Sequence, residues 1–231
     1  GQTLPLAKPF MVMATQNPIE TEGTYPLPEA QVDRFMLKVL IGYPSAAEEF
    51  VVVERQIAAA VATVKVLDPE MLRGFQGEAD AVYVDPAVIE YAVRLATATR
   101  EPAGVGRHDL ARLLTYGASP RASINLVLAA RAMAFLRGRD YALPGDVRDL
   151  ARDVLRHRIV LSYEALAEDL SPDDLLTPIL EAVPVPTAPL REQSAGFGGS
   201  GGSGGSGSVA GAFGSELGPG SGDATWARPP R

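Results

Sequence analysis

Three polar residues stand where this sequence can do chemistry on a phosphate. Asn17 follows the short apolar run Phe10 to Ala14, which ends in Thr15-Gln16-Asn17-Pro18. Open α/β sheets place ligands just past the carboxyl ends of their strands, and an amide that donates and accepts suits holding a water beside a phosphate. Asn-Pro is equally an ordinary start for a turn. Arg34 lies between Asp33 and a second apolar run, Phe35 to Ile41. Its guanidinium either neutralises charge on a transferring phosphoryl group, often across a subunit boundary, or pairs locally with Asp33 or Glu29. Arg121 stands in the first turn of a helix begun by Ser119-Pro120. A cation there is unfavourable by ~0.3–1 kcal/mol, so it makes sense where an anion shares the site. A helix amino end plus an arginine is a phosphate grip, and pairing with a neighbouring carboxylate is the alternative.

Other candidates carry less. His108 and His157 sit among arginines, with no serine nucleophile or metal-ligand spacing beside either, and read as structural or surface histidines. Arg131, Arg137, Arg139 and Arg152 read as solvated or ion-paired helix-face residues. The chain has no cysteine, which removes disulfides, thiol nucleophiles and Cys/His zinc sites, and which suits a cytoplasmic setting. No metal site is expected in the chain itself. There is no G-x-x-x-x-G-K-[ST] loop and no apolar strand ending in paired acids, the usual means of cradling a triphosphate and holding magnesium.

The elements that must position these residues are legible from local signals. The two apolar runs read as strands buried on both faces, the second closed by Gly42-Tyr43-Pro44, with a short helical segment from Pro28 to Arg34 between them. From Ser45 the pattern turns helical: Ser45 to Glu48 has capping-box spacing. Asp68-Pro69, Asp85-Pro86, Ser119-Pro120 and Ser171-Pro172 each place proline just after a capping residue, and Pro144 with Asp146 adds another start. Short extended pieces are expected at Val82 to Val84 and Ile159 to Leu161. The apolar helix from Ser119 to about Leu136 is predicted to be central. Beyond Val183-Pro184-Val185-Pro186 the composition changes, and 13 of 23 glycines fall in the last 41 residues. Its Gly-Gly-Ser triplets predict a passive flexible coil or linker.

The 231 residues carry 21 basic and 28 acidic side chains, a net charge of −7. The last 41 hold three of each, so the charge belongs to the body, which offers no electrostatic footprint for nucleic acid or an anionic membrane. No apolar run reaches the ~18 residues of a transmembrane segment, and the amino end, without an initiator methionine, reads as a cut.

Several of these segments, in order, resemble the MoxR family of AAA+ ATPases. The run Pro9-Phe10-Met11-Val12-Met13-Ala14-Thr15-Gln16-Asn17-Pro18-Ile19-Glu20, followed by Glu22 through Phe35, is similar to that family's most recognisable block. Gly117-Ala118-Ser119-Pro120-Arg121-Ala122, Gly138-Arg139-Asp140-Tyr141 and His157-Arg158-Ile159-Val160-Leu161-Ser162 resemble its lid motifs. The resemblance covers residues 1 to 186. It implies the end of an α/β P-loop NTPase core over residues 1–44, an all-α helical lid over 45–190 and a disordered tail over 191–231.

By the same resemblance, Asn17 matches the sensor 1 position, Arg34 the arginine finger and Arg121 the sensor 2 arginine. The family's Walker A loop and Walker B acids would lie upstream of residue 1 and bind most of the ATP and Mg2+, so the chain alone is expected to be inactive. The resemblance further implies ATP hydrolysis at the subunit interfaces of a homo-oligomeric ring, commonly hexameric. That work would drive remodelling or maturation of protein clients, among them proteins with von Willebrand factor A domains. A non-hydrolysing lid fragment acting as a protein-interaction module is the alternative. The acidic body disfavours a relative directed at DNA.

Overall fold

In the computed structural model, residues 3–16, 27–58 and 63–186 are described. Asn17 and the expected coil over 191–231 lie outside them. The helices begin where capping chemistry predicts. α1 is a single turn, Glu29–Val32, and α2, Ala46–Ile57, starts with the complete Ser45/Glu48 capping box. Asp68 caps α3 (Pro69–Ala81) by accepting from the Met71 N–H, and Asp85 caps α4 (Pro86–Arg100) by accepting from that of Ala87. Ser119 and Ser171 cap α5 (Pro120–Leu136) and α8 (Pro172–Ala182), with α6 at Pro144–Leu155 and α7 at Tyr163–Ala167 between them. At α2, α3, α4, α5, α7 and α8 a side-chain oxygen of the capping residue satisfies an N–H that the first turn leaves unpaired, whereas α1 has no side-chain cap.

α5 is central, packing on α3, α4 and α6. The face it buries is an alanine stripe, Ala122, Ala129, Ala130 and Ala134 around Leu126, while Ile124 and Leu128 are exposed. Small side chains let neighbouring helices approach closely. The larger volumes come from those neighbours: Val88, Tyr91 and Leu95 of α4, Val147, Val154 and Leu155 of α6, and Leu175, Leu176 and Ile179 of α8.

One small antiparallel sheet joins β1, Leu114–Tyr116, to β2, Val160–Leu161, with Leu114 opposite Leu161 and Tyr116 opposite Val160. A lone bridge pairs Tyr83 with Tyr141, so both expected extended pieces make strand-type contacts. The irregular stretch between α4 and β1 forms two 3-10 turns, Pro102–Val105 and His108–Leu110.

The amino-terminal strands differ from expectation. Neither Phe10 to Ala14 nor Phe35 to Ile41 is a strand, and Phe10 is 61% exposed. An extended apolar run gains its stability from ladder partners, and among the described residues neither run has a pairing strand. The second run instead becomes a strap along the carboxyl end of α6, where the Lys38 N–H donates to the Asp153 carbonyl at 2.8 Å. Among the described residues no helix is long and apolar enough to cross a membrane.

Candidate functional site

The amino end of α5 is fixed from behind by the end of α4. Gly117 lies so close that a Cβ there would fall 2.4 Å from the Thr99 carbonyl oxygen and 2.5 Å from the Arg100 nitrogen. Only glycine permits that approach. The Thr99 hydroxyl accepts from the Ala118 N–H at 2.9 Å and donates to the Ala96 carbonyl at 2.7 Å, while Arg100 Nη1 donates to the Ala118 carbonyl at 2.9 Å. Ser119 then starts the helix, and Arg121 projects from its first turn.

The anion that this arginine position calls for is Asp33. Arg121 Nη1 lies 3.0 Å from Asp33 Oδ2, and the Ser119 hydroxyl donates to the same carboxylate at 3.0 to 3.1 Å. Arg158 approaches from the opposite side, its Nε 3.2 Å from Asp33 Oδ1. Burial pushes the Asp33 carboxyl up, but Arg121, the Ser119 hydroxyl and the charge of Arg158 outweigh it and hold the group below the usual carboxylate range. Pairing of β1 with β2 explains the convergence. β1 runs into Gly117 and α5, β2 begins two residues after Arg158, and joining them sets two stretches distant in sequence against one carboxylate.

Arg158 and its neighbours also hold the backbone of the strap. The side chain of Arg158 is fully buried. Its Nη2 donates to the Asp33 carbonyl at 3.1 Å and to that of Phe35, and its Nη1 donates to the Met36 carbonyl at 3.2 Å and to that of Val154 in the last turn of α6. Arg156 Nη1 donates to the Lys38 carbonyl at 2.8 Å. His157 Nε2 lies 3.0 Å from the Phe35 carbonyl, so Nε2 carries the proton, and the buried Nδ1 has no partner among the described residues. Burial, with the charges of Arg158 and Lys38, pushes the His157 pKa down, and protonation would leave a buried N–H without an acceptor.

The predicted site residues are thus placed as follows. Arg121 meets a carboxylate brought from 88 residues away. Arg34 is exposed on the strap and, among the described residues, makes no ion pair with Asp33 or Glu29; Asp33 is engaged by Arg121 and Arg158 instead. Asn17 lies outside the described residues. His108 is exposed on a 3-10 turn. Arg137 and Arg139 pair with Asp146 at 2.6 Å, Arg131 with Asp80 at 3.6 Å, and Arg152 donates to the Thr177 hydroxyl at 3.1 Å. Sequence reasoning missed Asp33, Ser119 and Arg158 as one cluster, since no spacing rule links residues so far apart. The available signal was that Arg158 lies inside a motif next to an apolar strand, where an unpaired cation would be costly.

A small cleft of about 180 Å³ opens on this cluster, lined by Asp33, Tyr116, Gly117, Ser119, His157 and Arg158 among others. A larger hollow of about 420 Å³ is lined only by α2 residues and touches none of these groups. The cluster holds the Asp33 carboxylate at a capped helix end beside a half-exposed arginine, the kind of place where helix N–H groups and a guanidinium favour an anion. Among the described residues no group of three or more His, Cys, Asp or Glu is placed to hold a metal ion.

Comparison with known proteins places the chain in a family. Residues 108–179 match the model of the AAA lid domain, and residues 1–37 match the ATPase family associated with various cellular activities (AAA). The chain belongs to the AAA+ ATPases. Chaperone MoxR1 of Mycobacterium tuberculosis is 46% identical over 186 residues, covering 80% of this chain and 49% of the relative. Protein MoxR of Paracoccus denitrificans is 38% identical over 193 residues, covering 78% and 57%. Within the AAA+ class, then, the chain is a member of the MoxR family. A crystal structure of a protein assigned as an ATPase from Cytophaga hutchinsonii superposes with a TM-score of 0.76 at 42% identity, covering 80% of this chain and 56% of that one. The chain spans about half the length of the curated relatives it matches.

Proposed function

We propose that the protein to which this stretch belongs hydrolyses ATP at the interfaces of a homo-oligomeric, hexameric ring and uses the energy to remodel or mature protein clients in the cytoplasm. Residues 1–44 are read as the end of its α/β core and residues 45–190 as its lid. The observation that carries the reading is the convergence on the amino end of α5. Arg121 stands at a helix end already occupied by an anion, and the residue after that anion, Arg34, is a cation left exposed. Asn17 orients the attacking water, Arg34 reaches the γ-phosphate held by the neighbouring subunit, and Arg121 reports nucleotide state to the lid. The chaperone designation of the Mycobacterium tuberculosis relative supports the class of client. Proteins with von Willebrand factor A domains are the client candidates. Mg2+ bound with ATP would be held outside the described residues.

In the full-length protein, Arg34→Ala is expected to lower turnover by about 10³-fold or more while nucleotide affinity stays nearly unchanged, because a finger contributes mainly in the transition state. Mixed rings give the decisive assay. An Arg34→Ala subunit and a Walker A variant, each inactive, should together regain activity where an intact nucleotide site faces an intact Arg34. Mixed rings that form without recovery, or an Arg34→Ala protein that has lost nucleotide binding, would overturn the role in trans.

A further inference from the structure

Arg158 spends three of its five N–H donors on backbone carbonyls of the segment that carries Arg34. Its guanidinium takes the carbonyls of Asp33 and Phe35, the residues on either side of Arg34, then that of Met36, and its Nε faces the Asp33 carboxylate. One further donor goes to the Val154 carbonyl, which ties the same planar group to the last turn of α6. His157 adds a second donor to the Phe35 carbonyl, and both backbone groups of Lys38 are bonded to Asp153 and Arg156. Against this, the side chain of Arg34 faces solvent. A buried cation whose partners are backbone carbonyls flanking one exposed arginine does more than fill the core. It fixes the backbone from which that arginine projects.

We infer that Arg158, assisted by His157, is the positioning residue for Arg34: it fastens the backbone on both sides of Arg34 to the end of α6, so that Arg34 travels with the helical lid as one body. The inference rests on the reading of Arg34 as the finger. Its consequence is directional. A change of lid position in one subunit moves the cation presented to the next subunit's nucleotide, and damage to Arg158 appears at the neighbour's site and not at its own.

The test uses full-length rings. Arg158→Lys keeps the charge but cannot reach several carbonyls with a planar fork, so kcat should fall about 10- to 100-fold, as expected for an angström-scale displacement of a catalytic group. Nucleotide affinity should fall less than in Arg121→Ala, since Arg121, which projects from the first turn of α5, is unchanged. Rings mixing Arg158→Lys with a Walker A variant should recover activity as Arg34→Ala rings do. A protein whose lid is merely damaged would instead lose its own nucleotide affinity and show no recovery in mixed rings. That result, or wild-type turnover in Arg158→Lys while Arg34→Ala is inactive, overturns the inference.

If Arg158→Lys fails to fold, a second measurement decides. Spin labels at Gln31→Cys on α1 and Leu136→Cys at the end of α5 are introduced into rings diluted with unlabelled subunits. Their separation should be the same without nucleotide and with a non-hydrolysable ATP analogue, and a shift of several ångströms refutes the one-body clamp. Should Arg34→Ala itself retain turnover, the finger reading fails, and the label separation still settles whether the strap and lid are fastened.

Discussion

The amino ends of α5 and α6 are each built from a carboxylate held by two arginines, and they differ in where the carboxylate comes from. At α6, Asp146 belongs to the helix it caps, accepts from the Leu143 N–H at 2.8 Å, and is met by Arg137 and Arg139 from the preceding turn. Its side chain is 1% exposed. At α5, Asp33 arrives from a strap 88 residues away from Arg121, its side chain is 16% exposed, and Arg121 is 54% exposed. A carboxylate supplied by its own helix cannot leave without fraying that helix. One supplied from a distant strap is no part of the helix it meets, and the arginine beside it stays half-exposed to solvent.

The strongest way to break this contrast is at α6. Asp146→Ala leaves Arg139 and the Leu143 N–H without their acceptor in a buried setting and should cost about 3 kcal/mol, measured by denaturant unfolding. A loss below 1 kcal/mol would mean that the closed site is not structural.

Glycine substitutions sharpen the contrast at both ends. Gly117→Ala forces a Cβ onto the backbone of Thr99 and Arg100 and should destabilise by about 1–3 kcal/mol, whereas Gly145, in the first turn of α6, has open space around it. Gly145→Ala should be neutral or stabilising by about 0.5 kcal/mol. Equal effects would show that the close approach behind α5 is not what fixes that end.

Proton dependence separates the sites further, because only the α5 cluster includes a histidine. The His157 pKa is depressed from 6.5 by burial, opposed by the Phe35 carbonyl and Asp33 and reinforced by Arg158 and Lys38. The folded protein therefore binds that proton less readily than the unfolded chain. The stability it reflects is fully present above pH 6.5 and declines as pH falls below that value. Thermal unfolding across pH 5.5 to 7.5 should show this slope, and His157→Gln, which keeps a donor for the Phe35 carbonyl, should flatten it.

The smallest effect is expected at Arg121. Arg121→Ala removes a half-exposed partner and should change stability by about 0.5 kcal/mol or less. In the full-length protein the same variant should weaken ATP binding, read by fluorescent-nucleotide titration. A large stability loss with unchanged affinity would make the α5 end a second closed cap.

What was readable in the sequence followed from how far apart the determining groups lie. Ser45, Asp68, Asp85, Ser119 and Ser171 announced helix starts because a cap and its N–H targets lie within three residues. Phe10 to Ala14 and Phe35 to Ile41 misled because a strand's stability resides in its partner and not in its own composition. α5 was recognised as central, yet its buried face is alanine while Ile124 and Leu128 look outward; apolar content locates a helix in the core without orienting it. Arg34 and Arg121 were legible as cations beside signals of phosphate chemistry. Their common neighbour, Asp33, was not, since its partners lie 86 to 125 residues away.

The two-stranded sheet has a topological effect as well as a local one. By joining residues 114–116 to 160–161, and with the Ser162 N–H donating to the Leu113 carbonyl, it ties the chain into a loop whose contents are α5 and α6. Much of the closure entropy of that loop is met at its base, so once the five residues of the sheet are in register, the helical hairpin searches a restricted space. The reverse follows on opening. Opening of the sheet should therefore loosen the grip on the strap, since Arg158 lies two residues before β2.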